Sequence, residues 1–140
     1  MTIMKTVSEL PWNTLLGIQP AAEPPALQLP AGPQYLNHLG TIHAGALLSL
    51  AEAATGEFLL THFQDTTGLI PVVRRMEAKF RKPARGALTA AAAVPAETLT
   101  QLDNELAARG RALVTIKVDV HDTSGTHALS AEVEWFIQRT

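Results

Sequence analysis

Glu52 is a single carboxylate in the middle of a segment that is otherwise almost entirely apolar, and this position makes it a candidate catalytic group. The apolar residues of 42–60 recur at helical spacing on nearly every side, which predicts a helix buried inside the protein. Ala51, Ala53 and Ala54 surround the glutamate with small side chains. A carboxylate in such surroundings tends to have a raised pKa and to serve as a base or a nucleophile.

The beginning of the same helix offers a complementary group. Gly40, Ala44 and Gly45 leave its first turn sterically open. Backbone N–H groups at a helix N-terminus, with the positive end of the helix dipole, can polarise a carbonyl oxygen. Ala44 and Glu52 are eight residues apart, roughly 12 Å along a helix, which is too far for both to act on one carbonyl. If both belong to one site, two chains must pair with these helices antiparallel, and the site is shared across a two-fold axis.

The helices that position these groups are predicted from periodicity and end signals. We expect three of them, over 8–17, from near Thr41 to about His62, and over 95–110. In the first, Trp12, Leu15 and Leu16 fall on one side. In the third, Thr98 and Gln101 match a capping box.

Strands are predicted on both sides of the long helix. A short one is expected at 26–29, and from Leu69 onward apolar and polar residues alternate in four runs. The apolar positions of these runs are Met76, Ala78 and Phe80; Leu88, Ala90, Ala92 and Val94; Val114, Ile116, Val118 and Val120; and Leu129, Ala131, Val133 and Trp135. One-sided strands suit an antiparallel sheet with one covered face. The pattern therefore predicts an α+β fold in which an antiparallel sheet wraps around one long central helix.

Length and composition limit the classes of function. With 140 residues, 46% of them hydrophobic, the chain can form one domain over 1–140. A net charge of −2 provides no strong field to attract nucleic acid or an anionic membrane. The absence of cysteine excludes disulfides, thiolate nucleophiles and Cys-ligated zinc. No apolar run reaches signal or membrane-spanning length, so we expect a cytoplasmic protein that does not bind membranes.

Two other kinds of site are not expected. His38 and His43 have no carboxylate at ligand spacing to complete a metal site. No Gly-x-Ser-x-Gly elbow occurs, and Ser49 lies inside the predicted helix, so serine nucleophile chemistry is not expected either.

The sequence around the long helix resembles a known family. The residues that carry the resemblance are Asn37, Gly40, His43-Ala44-Gly45 and Leu50-Ala51-Glu52. They are similar to the Asn…Gly…His-Gly-Gly…Leu-Ala-Asp/Glu pattern of hotdog-fold acyl-CoA thioesterases, specifically the phenylacetate-pathway-like group and its uncharacterised relatives. Residues 79–83 followed by Gly86 resemble a strand end of the same group. The likeness extends over about residues 35–138, leaving 1–33 as a variable N-terminal segment and 95–110 as an inserted helix.

The resemblance implies a hotdog fold that hydrolyses an acyl-CoA thioester to free acid and CoA, with no cofactor beyond the CoA of the substrate. Glu52 would attack the thioester carbonyl or activate water for that attack. The Ala44 N–H would polarise the carbonyl, Asn37 would orient substrate or water, and His43 would support the loop or contact the substrate. Gly45 and Thr55 would complete the substrate site.

The chain departs from the family pattern at two positions. Ala44 replaces the usual glycine but keeps the N–H donor. Gly56 stands where some relatives carry a hydroxyl that holds water, a role for which Thr55 is the neighbouring candidate.

The basic residues of the chain have two interpretations. Arg74, Arg75, Lys79, Arg81, Lys82 and Arg85 form one cluster. It is either the solvated outer face of a strand, or it brings Arg81, Lys82 and Arg85 to the phosphates of coenzyme A.

The expected partners are a small-molecule acyl thioester and a second copy of the chain, in a homodimer or a homotetramer built as a dimer of dimers. A non-catalytic hotdog protein that binds acyl-CoA or acyl carrier protein is the alternative function. A dehydratase or hydratase would need a histidine and an acid placed for proton transfer, and the sequence offers no convincing pair.

Overall fold

The predicted long helix is present in the computed structural model, which describes residues 6–140. The helices are α1 (Pro11–Leu16), α2 (Ala44–His62) and α3 (Ala96–Arg109). The strands are β1 (Gln19–Pro20), β2 (Leu27–Leu29), β3 (Leu69–Phe80), β4 (Leu88–Ala93), β5 (Arg111–Asp122) and β6 (His127–Arg139). Short 3₁₀ turns cover Val7–Glu9 and Pro33–Tyr35. Residues 1–5, the start of the expected N-terminal segment, lie outside the described range.

The strands form one antiparallel sheet in the order β1-β2-β4-β5-β6-β3. Its inner face carries the alternating apolar residues of β4, β5 and β6, and both α2 and α3 pack against that face. The predicted α+β arrangement, with an antiparallel sheet around one long helix, is confirmed.

Helix α2 begins at Ala44, two or three residues later than the sequence suggests. The Ile42 N–H donates to the Ala84 carbonyl (3.0 Å), and the His43 N–H donates to the Tyr35 carbonyl (2.7 Å). These bonds hold residues 42 and 43 extended, so the helical turn starts only after them.

None of the helices within residues 6–140 is long and apolar enough to cross a bilayer.

Helix α3 lies where the sequence predicts it, but its start differs. Leu102 and Leu106 are buried against the sheet, and Gly110 ends the helix with a φ of +72°. The predicted capping box at Thr98 is wrong, because the helix begins at Ala96 and its cap position makes no side-chain hydrogen bond.

The N-terminal helix is shorter than predicted. A 3₁₀ turn precedes it, and Pro11 occupies the first position of α1, where a missing N–H costs nothing. Of the three apolar residues that the sequence places on one side of this helix, Leu16 packs against the core, whereas Trp12 and Leu15 are exposed. The buried side chain of α1 is Asn13, whose Nδ2 donates to the Val7 carbonyl (2.9 Å).

Strand β3 is an edge of the sheet, paired on one side only, with β6. Met76, Ala78 and Phe80 point to the helix side, because they register with the inward residues of β6. They are not covered as an inner row would be, and Phe80 keeps 48% of its surface exposed. A long edge strand with exposed apolar residues is a surface on which another strand can pair.

The core predicts a contrast between two leucines. Leu50 on α2 is 0% exposed, whereas Leu15 on α1 is 76% exposed. We expect Leu50→Ala to lower the free energy of unfolding by about 2–5 kcal/mol, through lost burial and the cavity left behind. Leu15→Ala should change it by less than about 0.5 kcal/mol. Urea unfolding of both variants measures this, and similar losses would contradict the assigned packing.

Candidate functional site

Glu52 lies beside a small apolar pocket. The pocket has a volume of about 210 Å³ and is lined by Val7, Leu10, Glu52, Gly56, Leu59, Leu60, Pro71 and Trp135. Burial raises the pKa of the Glu52 carboxyl above its ordinary value. Within residues 6–140, no side-chain or backbone donor bonds to this carboxylate. A half-buried carboxylate without a donor retains its full capacity to accept a proton or to attack.

Helix α2 fixes Glu52 in this position. Its neighbours Ala51 and Ala53 are fully buried in the core, so the glutamate is held at the boundary of the packed interior. One turn further on, the Thr55 hydroxyl donates to the Glu52 carbonyl (2.8 Å) and accepts from Trp135 Nε1 (3.0 Å). Thr55 is itself 0% exposed and does not line the pocket. Its hydroxyl instead bonds to Trp135, which forms part of the pocket wall.

A second pocket lies at the beginning of α2. It has a volume of about 310 Å³ and is lined by Asn37, Leu39, Thr41, Ile42, Ala44, Leu47, Phe80, Arg81, Lys82, Pro83, Ala84 and Ala128. Four of the predicted site residues meet here, namely Asn37, Ala44, Arg81 and Lys82. Glu52 is not among its lining residues. Within one chain, the carboxylate and the helix start therefore belong to different pockets.

Asn37 organises the loop that leads into α2. Its Oδ1 accepts the N–H groups of Leu39 (2.9 Å) and Thr41 (3.1 Å). Its Nδ2 donates to Thr41 Oγ1 (2.9 Å) and, at 3.5 Å, to the Ile42 carbonyl. The amide is thus occupied by the loop itself, and in this conformation it acts on a substrate only through the loop it holds.

Within residues 6–140, the first turn of α2 leaves one backbone N–H without an acceptor. The Gly45 N–H donates to Nδ1 of His43 (2.9 Å), and those of Ala46 and Leu47 reach the His43 carbonyl at 3.0 and 3.2 Å. The N–H of Ala44 has no acceptor among the residues that the structure describes, and Ala44 is exposed to the pocket. His43 is therefore the N-cap of the helix, and Ala44 offers the open N–H at its positive end.

The predicted basic residues divide between two positions. Arg81 and Lys82 are exposed and line the pocket at the helix start, where Arg81 Nε also donates to Ser130 Oγ (2.7 Å). Arg85 is exposed but is not part of that lining, and its backbone N–H donates to Asp122 Oδ2 (3.2 Å).

Asp122 was not predicted from the sequence, although it anchors the basic loop. Its Oδ1 accepts the N–H groups of Ser124 (2.9 Å) and Thr126 (3.0 Å) and closes the β5–β6 turn. Burial alone would raise the pKa of Asp122, but the N–H donors of Arg85, Thr126 and Ser124 outweigh it and lower the pKa. An aspartate two residues before a Ser-Gly turn is the available sequence signal, since it can accept N–H groups within the turn.

A polar cluster on the outer face of the sheet does not form a catalytic relay. Nε2 of His127 lies 2.8 Å from Asp119 Oδ1 and 3.1 Å from Ser130 Oγ. A serine–histidine–aspartate relay needs the serine and the carboxylate on opposite ring nitrogens, whereas both neighbours here contact the same one. In the described part of the chain, no three His, Asp or Glu side chains are grouped as metal ligands.

The anchoring role of Asp122 predicts a pH-dependent loss of stability. Asp122→Asn keeps one acceptor oxygen for the turn but places an NH₂ group against the Arg85 N–H. We expect the variant to be less stable than wild type near neutral pH, with the difference shrinking on acidification. The lowered pKa means that the carboxylate stabilises the fold above its ordinary pKa and loses this effect as the pH falls through the lowered value.

Urea unfolding across the acid range measures the difference for this variant. Glu105→Gln, which changes an exposed carboxylate of α3, is the matched control. A difference that stays constant with pH would contradict the assigned contacts.

The fold is similar to several solved structures. A Pseudomonas aeruginosa protein of unknown function, described as a probable thioesterase, is 29% identical with a TM-score of 0.81, over 96% of this chain and 91% of that one. A Bacillus halodurans protein solved with CoA is 20% identical with a TM-score of 0.70, over 90% and 74%. A hypothetical thioesterase from Streptococcus pneumoniae, solved with coenzyme A, is 18% identical with a TM-score of 0.58, over 82% and 80%.

These likenesses confirm the predicted hotdog fold, of the kind found in thioesterases. No protein of curated function matches the sequence. Residues 21–137 match the family described as a domain of unknown function, DUF4442, and the chain belongs to that family.

Proposed function

We propose that the protein hydrolyses an acyl-CoA thioester to a free acid and CoA, in a site shared by two copies of the chain. The proposal depends on one observation: the N–H of Ala44 and the carboxylate of Glu52, neither of which has a hydrogen-bond partner among residues 6–140, lie in different pockets of the same chain. One pocket provides a hydrogen-bond donor for the carbonyl oxygen, and the other provides a carboxylate that can act as base or nucleophile. A two-fold pairing with antiparallel α2 helices brings the halves of different chains together.

In this mechanism the thioester carbonyl oxygen accepts a hydrogen bond from the Ala44 N–H, which stabilises the negative charge that develops on it. Glu52 of the partner subunit either attacks the carbonyl carbon or takes a proton from the attacking water. When Glu52 acts as the base, the carbon–sulfur bond breaks, CoA leaves as the thiolate, and the proton held by Glu52 passes to the sulfur. When Glu52 attacks, the carbon–sulfur bond breaks to give a mixed anhydride on Glu52 and the CoA thiolate. Water then hydrolyses the anhydride, which releases the free acid and restores the carboxylate, and the proton from this water passes to the thiolate. Asn37 and His43 act as positioning residues, because they hold the loop and the first turn that present the donor.

Arg81 and Lys82 are placed to hold the CoA portion of the substrate. Both are exposed at the rim of the pocket that contains Ala44, and cations at this position can pair with phosphates. Arg85 lies in the same loop, which Asp122 anchors. CoA bound to two proteins of the same fold supports this assignment.

Strand β3 is the surface we propose for pairing with the second copy. Ile70, Val72, Met76 and Phe80 are large apolar residues that remain exposed along this edge. Pro71, at the beginning of the same strand, lines the pocket of Glu52, and Phe80, at its end, lines the pocket of Ala44. A strand added to this edge would therefore lie next to both half-sites.

The proposed role of Glu52 predicts the effect of removing its charge. Glu52→Gln keeps the size of the side chain but not its basicity, and we expect kcat/KM on acyl-CoA to fall about a hundredfold or more. In wild type, kcat/KM should rise with pH through the raised pKa of Glu52, because only the ionised form acts. Thiol release from a panel of acyl-CoA substrates measures both effects.

Glu105→Gln on α3 is the control and should leave kcat/KM unchanged. Unaltered hydrolysis by Glu52→Gln would overturn the mechanism. Binding of acyl-CoA without turnover by wild type would instead indicate the non-catalytic alternative.

The shared site predicts complementation between two inactive variants. Ala44→Pro removes the proposed donor at the first position of α2, where proline is well tolerated, and the extended ψ of 140° at His43 suits a following proline. We expect Ala44→Pro to be inactive and Ala44→Gly, which keeps the N–H, to be active. Refolding Ala44→Pro together with Glu52→Gln should restore about a quarter of wild-type activity, because half of the dimers then carry one intact site.

Each variant refolded alone is the control for this experiment. If both halves of the site belonged to one chain, the mixture would remain as inactive as its components.

A further inference from the structure

The pocket beside Glu52 is closed by a segment that lies outside the family match. Val7 and Leu10 form part of its lining, whereas the match to DUF4442 begins at residue 21. The size of this pocket is therefore set in part by residues that the family description does not include.

Hydrogen bonds fix this segment against α2. The Val7 N–H donates to Glu57 Oε1 (3.4 Å), and Asn13 Nδ2 holds the Val7 carbonyl (2.9 Å). Trp12 Nε1 donates to Ser49 Oγ (3.3 Å) one helical turn before Glu52. Val7 is buried, although it is near the start of the described chain. The wall that it forms is thus a built part of the pocket.

Gly56 sets the width of the same pocket. A Cβ at this position would lie 3.4 Å from the Trp135 ring and 3.6 Å from a Val7 methyl, which are ordinary contact distances. Trp135 is fixed by its bond to Thr55, so the ring is held in place as the opposite wall. A methyl group fits between these walls, and a larger side chain would occupy the space that the glycine leaves open.

We propose that Val7, Gly56 and Trp135 limit the size of the acyl group that reaches Glu52. A volume of about 210 Å³ exceeds the roughly 150 Å³ cavity that holds benzene, so it has room for one six-membered ring or a short chain, but not for a long fatty acyl chain. Apart from Glu52, the lining residues carry one polar side-chain group, the indole N–H of Trp135. This N–H already donates to the Thr55 hydroxyl. The substrate class is an acyl-CoA with a compact apolar acyl group, and this inference rests on the proposed function.

Two substitutions should move the size limit in opposite directions. Val7→Ala removes two methyl groups from the wall opposite Trp135. Gly56→Val fills the space between these walls. With hexanoyl-CoA and octanoyl-CoA as substrates, which differ by two methylene groups, Val7→Ala should raise the octanoyl-to-hexanoyl ratio of kcat/KM by about tenfold or more. Gly56→Val should lower the hexanoyl-to-acetyl ratio of kcat/KM by a similar factor, because an acetyl group does not fill the pocket.

Leu15→Ala is the matched control, because Leu15 belongs to the same segment but is exposed and does not line the pocket. Gly56→Ala replaces Gly56→Val if circular dichroism shows that the larger variant fails to fold. Unchanged chain-length ratios in both pocket variants, with hydrolysis still lost in Glu52→Gln, would overturn the size limit and leave the proposed function intact. If wild type binds acyl-CoA without hydrolysing it, dissociation constants for the same panel replace kcat/KM, and no binding at all would overturn both proposals.

Discussion

The site depends on two backbone hydrogen bonds that keep residues 42 and 43 out of the helix. Because Ile42 bonds to Ala84 and His43 to Tyr35, α2 begins at Ala44 and not before. A start one turn earlier would give the Ala44 N–H an intrahelical acceptor and remove it from the pocket. The bond from Ile42 to Ala84 also joins the segment before α2 to the basic loop of residues 81–86, so one contact helps to position both the donor and the cations.

Glu52 shows how a carboxylate with a raised pKa can be placed at the edge of a packed core. A fully buried charge without a partner would be costly, and a fully exposed one would have an ordinary pKa. At the boundary of the core, next to buried alanines and an apolar pocket, the pKa of Glu52 is raised, and no donor from the described part of the chain bonds to its oxygens. The nearby hydroxyl of Thr55 donates to the Glu52 backbone carbonyl and accepts from Trp135, so it does not donate to the Glu52 carboxylate.

Much of the fold could be predicted from periodicity. Apolar residues recur at helical spacing along α2, and apolar and polar residues alternate along β5 and β6. The inward rows of β5 and β6 are buried as expected. The inner row of β3 was placed on the correct face, but its exposure was not predictable, since alternation does not reveal which strand is an edge. Likewise, helical spacing grouped three apolar residues on one side of α1, while the tertiary contacts leave two of them exposed and bury Asn13.

The candidate site was less accessible to sequence reasoning. The residue types of Glu52, Asn37 and Ala44 pointed to their segment, and helical rise alone indicated that one chain could not unite them. The link from Asp122 to the loop of Arg85 connects residues distant in sequence, so no local pattern predicts it. The role of Val7 depends on where the N-terminal turn lies on α2, which is likewise a property of the tertiary structure.

The exposed edge of β3 also bears on the thermodynamics of the chain. Its pairing with β6 shifts register between Val73 and Arg75, and an irregularity of this kind bends and twists a strand locally. Any strand that pairs with this edge binds the folded chain and not the unfolded one, so it stabilises the fold by mass action. The melting temperature would then depend on protein concentration, and at high dilution the fold would have to persist on its own contacts.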